Sequence, residues 1–279
     1  MRIPEDLAAV AALDLAEVVR SRWLVVLGLL YTGLGALFVL VGLRESMVLG
    51  FTGMGRVLFS LCHALVLLLP LVGLAVTAPV VGRAREDGAL ELLLSQPVRR
   101  ASYLLAVAGV RILAISLPLV VVLVALGVAG RLFFGQAVPW SFVLCSAAVS
   151  VSLLVAFAGL GILVSVGVRQ SARVLTYAVV LWLAGVALLD FGLIALLLGW
   201  RVEPRVVFVL AALNPVQVAR LALLAAAEPE LSQLGPVGFY LAHRVGASGL
   251  LALGLGWPLA FGGGCLAVAL RVFRRGDAV

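Results

Sequence analysis

Apolar residues in this chain come in runs of about twenty, separated by short stretches that hold most of the charge. A run of that length, wound as an α-helix, crosses the roughly 30 Å hydrocarbon core of a bilayer. The pattern predicts a first span from about Trp23 to Leu43, with Trp23 at the interface. Further spans are expected over Val57–Val81, from Tyr103 or Arg111 to Gly130, and over Trp140–Val168, Val174–Leu198 and Ala247–Leu270. The connections read as a Gly-bearing loop over Arg44–Arg56, a turn over Arg131–Val138 and a tight polar loop over Arg169–Arg173. No hydrophilic stretch is long enough for a second domain. The expectation is therefore one all-α integral membrane domain of six transmembrane helices, residues 1–279.

Three segments depart from the simple pattern. In residues 1–22, Pro4 suits a first helical position, Glu5 and Asp6 a first turn, and Arg20 and Arg22 a last turn. Leu7, Ala11, Leu15 and Val18 fall on one face, and Asp6, Glu17 and Arg20 on another. That predicts an interfacial helix leading into the first span. Early acids and the lack of a small-residue cleavage site argue against a cleaved signal peptide. The second segment, Gly199–Ala247, joins apolar Val206–Leu213 to Asn214-Pro215, helix-like Val216–Ala227 and a break at Glu228-Pro229-Glu230. Asn214 can cap a helix that starts at Pro215, which predicts a re-entrant outer region before span six. The rival is a seventh span, Val206–Ala227, with Pro215 and Arg220 inside it. The third segment, Arg83–Arg100, is the most charged in the chain. It reads as one short amphipathic helix at the membrane surface, with Ala89, Leu92 and Leu93 on a stripe flanked by Leu90 and Leu94. Glu86, Asp87 and Glu91 mark its wetter side, and Pro97 ends it. Such a helix either rests on lipid or docks into a groove on a soluble partner.

Composition agrees and removes other classes. The chain is 64% hydrophobic and 12% charged, with a mean hydropathy of +1.25, unlike a soluble domain. The net charge is +7, and every cationic side chain other than histidine is arginine. Without lysine there is no phosphate-binding loop and no Schiff-base chemistry. The arginines are spread over span ends, so no concentrated patch for nucleic acid forms. With the N-terminus inside, twelve arginines fall in inner segments and seven in outer ones, favouring cytoplasmic termini. Cys62, Cys145 and Cys265 are isolated in apolar runs and imply no disulfide framework. Cys62-His63, with Met47 and Met54 nearby, is a set of soft ligands, yet its spacing matches no metal motif. Asp190 is the one acid deep in an apolar run; it either reaches the outer interface or lines a pathway or a dimer seam. Ala252, Gly256, Ala260 and Gly264 form a four-residue stripe for close helix approach, within the subunit or across a dimer. A single intramembrane Asp and two distant His residues do not make a catalytic set. A membrane anchor or assembly scaffold is the alternative to transport.

The segment containing Arg85, Glu86-Asp87-Gly88, Leu90 to Leu94, Pro97 and Arg100 resembles the loop after span two of ABC-2-type transporter permeases. In that loop an acidic pair, a Gly-Thr, a Leu-rich turn, a Thr-Pro and an Arg recur. Ala89 stands where Thr is usual, and Ala106-Val107 where Gly-Lys is common, with Arg111 one turn on. Leu189–Leu198, with its Asp190, and Leu213-Asn214-Pro215 followed by Arg220 are similar to one subfamily. This is the permease of the copper-processing system that matures nitrous-oxide reductase. The resemblance implies a homodimer in the cytoplasmic membrane, surrounded by lipid and driven by a dimer of separate cytoplasmic ATPase subunits. ATP and Mg would sit on those subunits, leaving this chain without cofactor, metal or catalytic residue. Coupling would run through Arg83, Arg85, Glu86, Asp87, Gly88, Leu90, Glu91, Leu94, Pro97 and Arg100, with a second cytoplasmic contact at Arg169 and Arg173. Asp190 would lie on the pathway or dimer seam, and Asn214, Pro215 and Arg220 in the outer region. A periplasmic binding protein is left open.

Overall fold

The computed structural model describes residues 5–49, 54–134, 138–168, 170–188, 204–228 and 243–275, and every regular element among them is helical. The helices are α1 (Glu5–Arg20), α2 (Trp23–Leu49), α3 (Met54–Thr77), α4 (Val80–Glu86), α5 (Ala89–Leu94), α6 (Arg100–Phe134) and α7 (Trp140–Gly167). After these come α8 (Ser171–Leu183), which runs on into a π-helical turn at Ala184–Leu188, then α9 (Pro204–Leu213), α10 (Pro215–Ala227) and α11 (Gly246–Arg275). Among the described residues five helical stretches are long and apolar enough to cross a membrane: Trp23–Val41, Val57–Glu86, Arg100–Phe133, Trp140–Gly167 and Gly246–Arg275.

The bundle is organised around α7, which packs against α3, α6, α8, α10 and α11. Water-driven burial does not operate between helices in lipid, so close approach has to come from small residues. A Cβ on Gly159 would strike the backbone of Gly262 in α11, and one on Gly262 would lie 2.8 Å from the Cα of Ala156. On its other side, α7 presents Gly161 to Thr77 of α3, again with no room for a Cβ. Hydroxyls bond to backbone carbonyls at these crossings: Thr77 Oγ1 donates to Gly73 at 2.7 Å, and Ser152 Oγ donates to Leu255 of α11 at 2.7 Å. These bonds satisfy two hydroxyls within the bundle, as a helix pair in hydrocarbon requires, whereas the buried Ser150 Oγ of α7 has no partner among the described residues.

Several expectations change. α6 extends beyond Tyr103–Gly130 at both ends and includes Arg131 in its last turn. The loop expected over Arg44–Arg56 is shorter, because α2 continues to Leu49 and α3 starts at Met54. Of the expected fifth span, α8 and the π-turn cover Ser171–Leu188, and the rest, with Asp190, lies outside the described residues. On α11 the packed stripe is Leu250, Gly254, Pro258 and Gly262, whereas Ala252, Gly256, Ala260 and Gly264 are exposed. Both stripes have the same period, and the one that faces α7 and α10 is buried. Asn214 separates α9 from α10 and caps the latter: its side chain accepts from the Val216 N–H at 3.0 Å, with Pro215 as the first helical residue.

Candidate functional site

At the end of the bundle where α3 and α7 meet, the segment Arg83–Arg100 forms a helical elbow, not the single helix the sequence suggests. α4 follows α3 after Ala78-Pro79, and proline cannot complete the preceding ladder. It is fixed to the last turn of α7, where the Val81 N–H donates to Ser165 Oγ at 2.9 Å and Arg85 Nη2 donates to the Val166 carbonyl at 3.4 Å. α4 ends at Asp87, and Gly88 has φ +69°, a left-handed conformation that glycine adopts without strain. The chain turns there, and α5 begins with Gly88 as its N-cap.

That turn redistributes the faces of the segment. Leu90 is 1% exposed and packs with Val10, Val81, Tyr103, Leu104 and Val107. Leu93 and Leu94 are half-buried, while Ala89 is exposed and Leu92 is 71% exposed. The apolar stripe expected from Ala89, Leu92 and Leu93 is thus split, and Leu90 is the anchor. Arg83, Glu86, Asp87, Glu91 and Pro97 are also exposed, so acids and an exposed leucine share the tip of the elbow. Arg100 is half-buried and belongs to α6, where its Nη1 donates to the Phe273 carbonyl of α11 at 3.5 Å. The Tyr103 ring stacks on Phe273 with centroids 6.1 Å apart.

The N-terminal helix braces the elbow from α6. Its buried face is Val10, Asp14 and Val18, with Leu7 and Ala11 half-buried; Leu15, expected on that face, is 51% exposed. Ala8, Ala12, Leu15 and Val19 make an exposed apolar arc apart from Glu17 and Arg20, as suits a helix lying between protein, lipid and water. Asp14 receives Arg111 in a forked ion pair, Nη2 at 2.7 Å from Oδ1 and Nε at 3.2 Å from both carboxylate oxygens. Arg111 Nη2 also reaches Glu17 Oε1 at 3.1 Å. Arg111 lies about 16 Å along α6 from Arg100, at 1.5 Å per residue. The sequence does not single out Asp14, and it marks Arg111 only as a cation near the start of span three, one turn beyond Val107. The available signal was position: Asp14 falls one turn from both Val10 and Val18, within a buried stripe. Burial pushes the Asp14 carboxyl up, opposed but not cancelled by the Arg111 guanidinium. At the start of α1, a hydrogen bond from Ser102 holds the half-buried Asp6 carboxyl below its ordinary value, and the Arg99 N–H adds a contact at 3.4 Å.

Arg173 is exposed in the first turn of α8, and α8 also touches α4, so Arg173 lies toward the elbow end; Arg169 and Asp190 lie outside the described residues. Asn214, Pro215 and Arg220 are not brought to the elbow. Asn214 is buried and donates through Nδ2 to the Gly185 carbonyl at 2.6 Å, a carbonyl in the π-helical turn. Pro215 is buried, and Arg220 is half-buried within electrostatic reach of His63. α10 packs on the first half of α11, with Ala222 against Gly254. Phe273, beside the elbow, is about 28 Å further along that helix.

This arrangement can present an acidic, leucine-tipped protrusion to a partner while tying it to α1, α6, α7 and α11. A family model described as "ABC-2 family transporter protein" matches residues 8–277. The chain belongs to the ABC-2 transporter family. Two curated relatives agree. One, from Stutzerimonas stutzeri, is named "Probable ABC transporter permease protein NosY" and is 28% identical over 279 residues, covering 95% of this chain and 97% of the relative. The other, from Pseudomonas aeruginosa, bears the same name and is 29% identical over 287 residues, with the same two coverages. An ABC-2 protein with these apolar helices is a multi-pass membrane protein, and the family implies a cytoplasmic ATPase partner.

Proposed function

We propose that this chain is the transmembrane permease subunit of an ABC transporter, moving a substrate across the cytoplasmic membrane with force from a separate ATPase. Supporting it is the elbow: Glu86, Asp87, Glu91 and Leu92 are exposed, while Leu90, Arg85 and Arg100 tie the same segment to α1 and to three long apolar helices, α6, α7 and α11. A push on the tip would be passed to α7 through Ser165 and Val166, and to α11 through Phe273. Arg173 adds a second contact on that side, joined by Arg169. The chain itself would hold no nucleotide and catalyse nothing.

In this reading the elbow faces the cytoplasm, and so do both termini. Two copies assemble, each with six spans, and Asp190 lies on the pathway or the seam between them. α9 and α10 form a re-entrant pair on the outer side, broken at Asn214 and available to a periplasmic protein. The cargo belongs to copper-site maturation of nitrous-oxide reductase; the names of the two relatives and the Asp190 and Asn214-Pro215…Arg220 signatures support this.

The test is coupled ATPase activity of the complex in vesicles. Leu92→Glu with Glu91→Arg is expected to lower it about tenfold or more, as loss of an interface anchor does. Unchanged assembly and unchanged coupling would remove the elbow from the mechanism. A complex that assembles, hydrolyses ATP and moves nothing would identify a scaffold. For the cargo, the readout is the copper content of nitrous-oxide reductase in cells lacking this chain; normal copper would refute that assignment.

A further inference from the structure

α1, the elbow, the end of α3 and the start of α6 line a cleft of about 510 Å³, to which the elbow contributes Arg83 and Asp87. Its volume is in the range of small-ligand sites. Its lining is mixed: Val10 and Leu13 of α1, Val76 of α3 and Val107 of α6 are apolar, and Arg83, Asp87, Glu17 and the Asp14–Arg111 pair are charged. Trp23, 42% exposed, stands at the margin, where a tryptophan marks the boundary between lipid tails and headgroups. Beyond it α2 continues with exposed Val26 and Leu29, an apolar track leading away from the cleft. A site that mixes apolar and charged lining at that boundary suits an amphiphile of the membrane, not a soluble metabolite.

We propose that this cleft seats the headgroup of a phosphatidylethanolamine from the leaflet on the elbow side. The choice of headgroup follows from charge. Arg111 is engaged by Asp14 and Glu17, whereas the Arg83 side chain has no ion pair among the described residues. Arg83 is thus the cation left for a phosphate. Glu17, 71% exposed, uses one carboxylate oxygen on Arg111, and the Asp87 carboxylate is exposed and has no ion pair among the described residues. These acids suit a primary ammonium, which donates three hydrogen bonds. Phosphatidylglycerol brings a net negative charge to a lining where acids outnumber arginines. Phosphatidylcholine brings an ammonium with no N–H to donate. Phosphatidylserine carries the same phosphate and primary ammonium but adds a carboxylate to this acidic lining, so the zwitterionic head with a primary ammonium matches both signs. This inference rests on the cleft and on α1 lying at the membrane surface; it shares Arg83 and Asp87 with the elbow, but lipid retention is read on this chain alone, without ATP or an ATPase.

The experiment is lipid retention by the full chain, purified in detergent, exchanged into an equal mixture of phosphatidylethanolamine, phosphatidylglycerol and phosphatidylcholine, and weighed intact by native mass spectrometry. Phosphatidylethanolamine is expected to be retained about tenfold over either competitor, the worth of one charge-assisted hydrogen bond. Arg83→Gln should remove that excess. The double variant Glu17→Gln with Asp87→Asn should turn the preference toward phosphatidylglycerol. Both of its positions are exposed, so it reads out even where Arg83→Gln folds poorly. Water-soluble glycerophosphoethanolamine at matched concentration should displace little lipid. Equal retention of the three lipids, an unchanged preference in the double variant, or full displacement by the soluble headgroup would each overturn the assignment.

Discussion

The crossing of α7 with α3 and α11 and the brace between α1, the elbow and α6 are held together by opposite means. At the α7 crossing two backbones meet through Gly159 and Gly262, and the hydroxyls of Thr77 and Ser152 bond to backbone carbonyls. At the brace, contact is made by side chains of full size around Leu90 and by a forked ion pair, Asp14 with Arg111. Lipid explains the first, because only close packing holds helices together where no water is expelled. Position explains the second: near the headgroups, water and polar groups lower the cost of an ion pair, and a charged latch can open and close without exposing hydrocarbon. A transporter needs both, a rigid bundle to move and a joint through which to move it.

Substitutions should separate the two regions by size of effect. Gly262→Leu is expected to be the most damaging, since backbone must move to admit it; the yield of folded, monodisperse protein in detergent should collapse, by more than the ~3 kcal/mol of ordinary overpacking. Gly263→Leu, one residue away and open on its Cβ side, should leave that yield near wild type. Next comes Arg111→Ala, which strands Asp14 where it is 7% exposed; a loss of about 3 kcal/mol in thermal or denaturant unfolding is expected. Replacing both partners, Asp14→Leu with Arg111→Met, should restore most of it, and failure to do so would show that the pair does more than satisfy its own charges. Gly88→Ala should cost about 1 kcal/mol through its positive φ, and Asn214→Ala about the same through its lost cap. The smallest effect belongs to Asp6. Its carboxyl is held below the ordinary 3.8, so its contribution to α1 docking is complete at neutral pH and lost only as pH falls below that value. Asp6→Asn should flatten the acid limb of an α1 proteolysis profile, with little change at pH 7.

What was legible in the sequence follows the same division. Five of the spans could be read because their period and length are local properties, and so could the Asn214-Pro215 helix start, which needs only adjacent residues. The elbow was half legible: Glu86-Asp87-Gly88 gave its chemistry, but a glycine inside a helical pattern reads as a tolerated defect until its φ is known. Leu90, not Leu92, faces inward because the turn at Gly88 resets the helical phase. The Asp14–Arg111 pair joins residues 97 apart in the chain, so nothing local marks either as the other's partner. On α11 two small-residue stripes share one period, and only the presence of α7 and α10 tells the packed one from the exposed one.

The central claim is that the tip of the elbow touches the ATPase and the other end of the bundle does not. It is tested most directly by a photo-crosslinking amino acid placed at Leu92, on the tip, and separately at Leu132, 72% exposed near the far end of α6. In intact membranes containing both subunits, Leu92 should give an adduct with the ATPase and Leu132 none. An adduct from Leu132, with Leu92 silent, would place the elbow on the wrong side of the membrane and contradict the account.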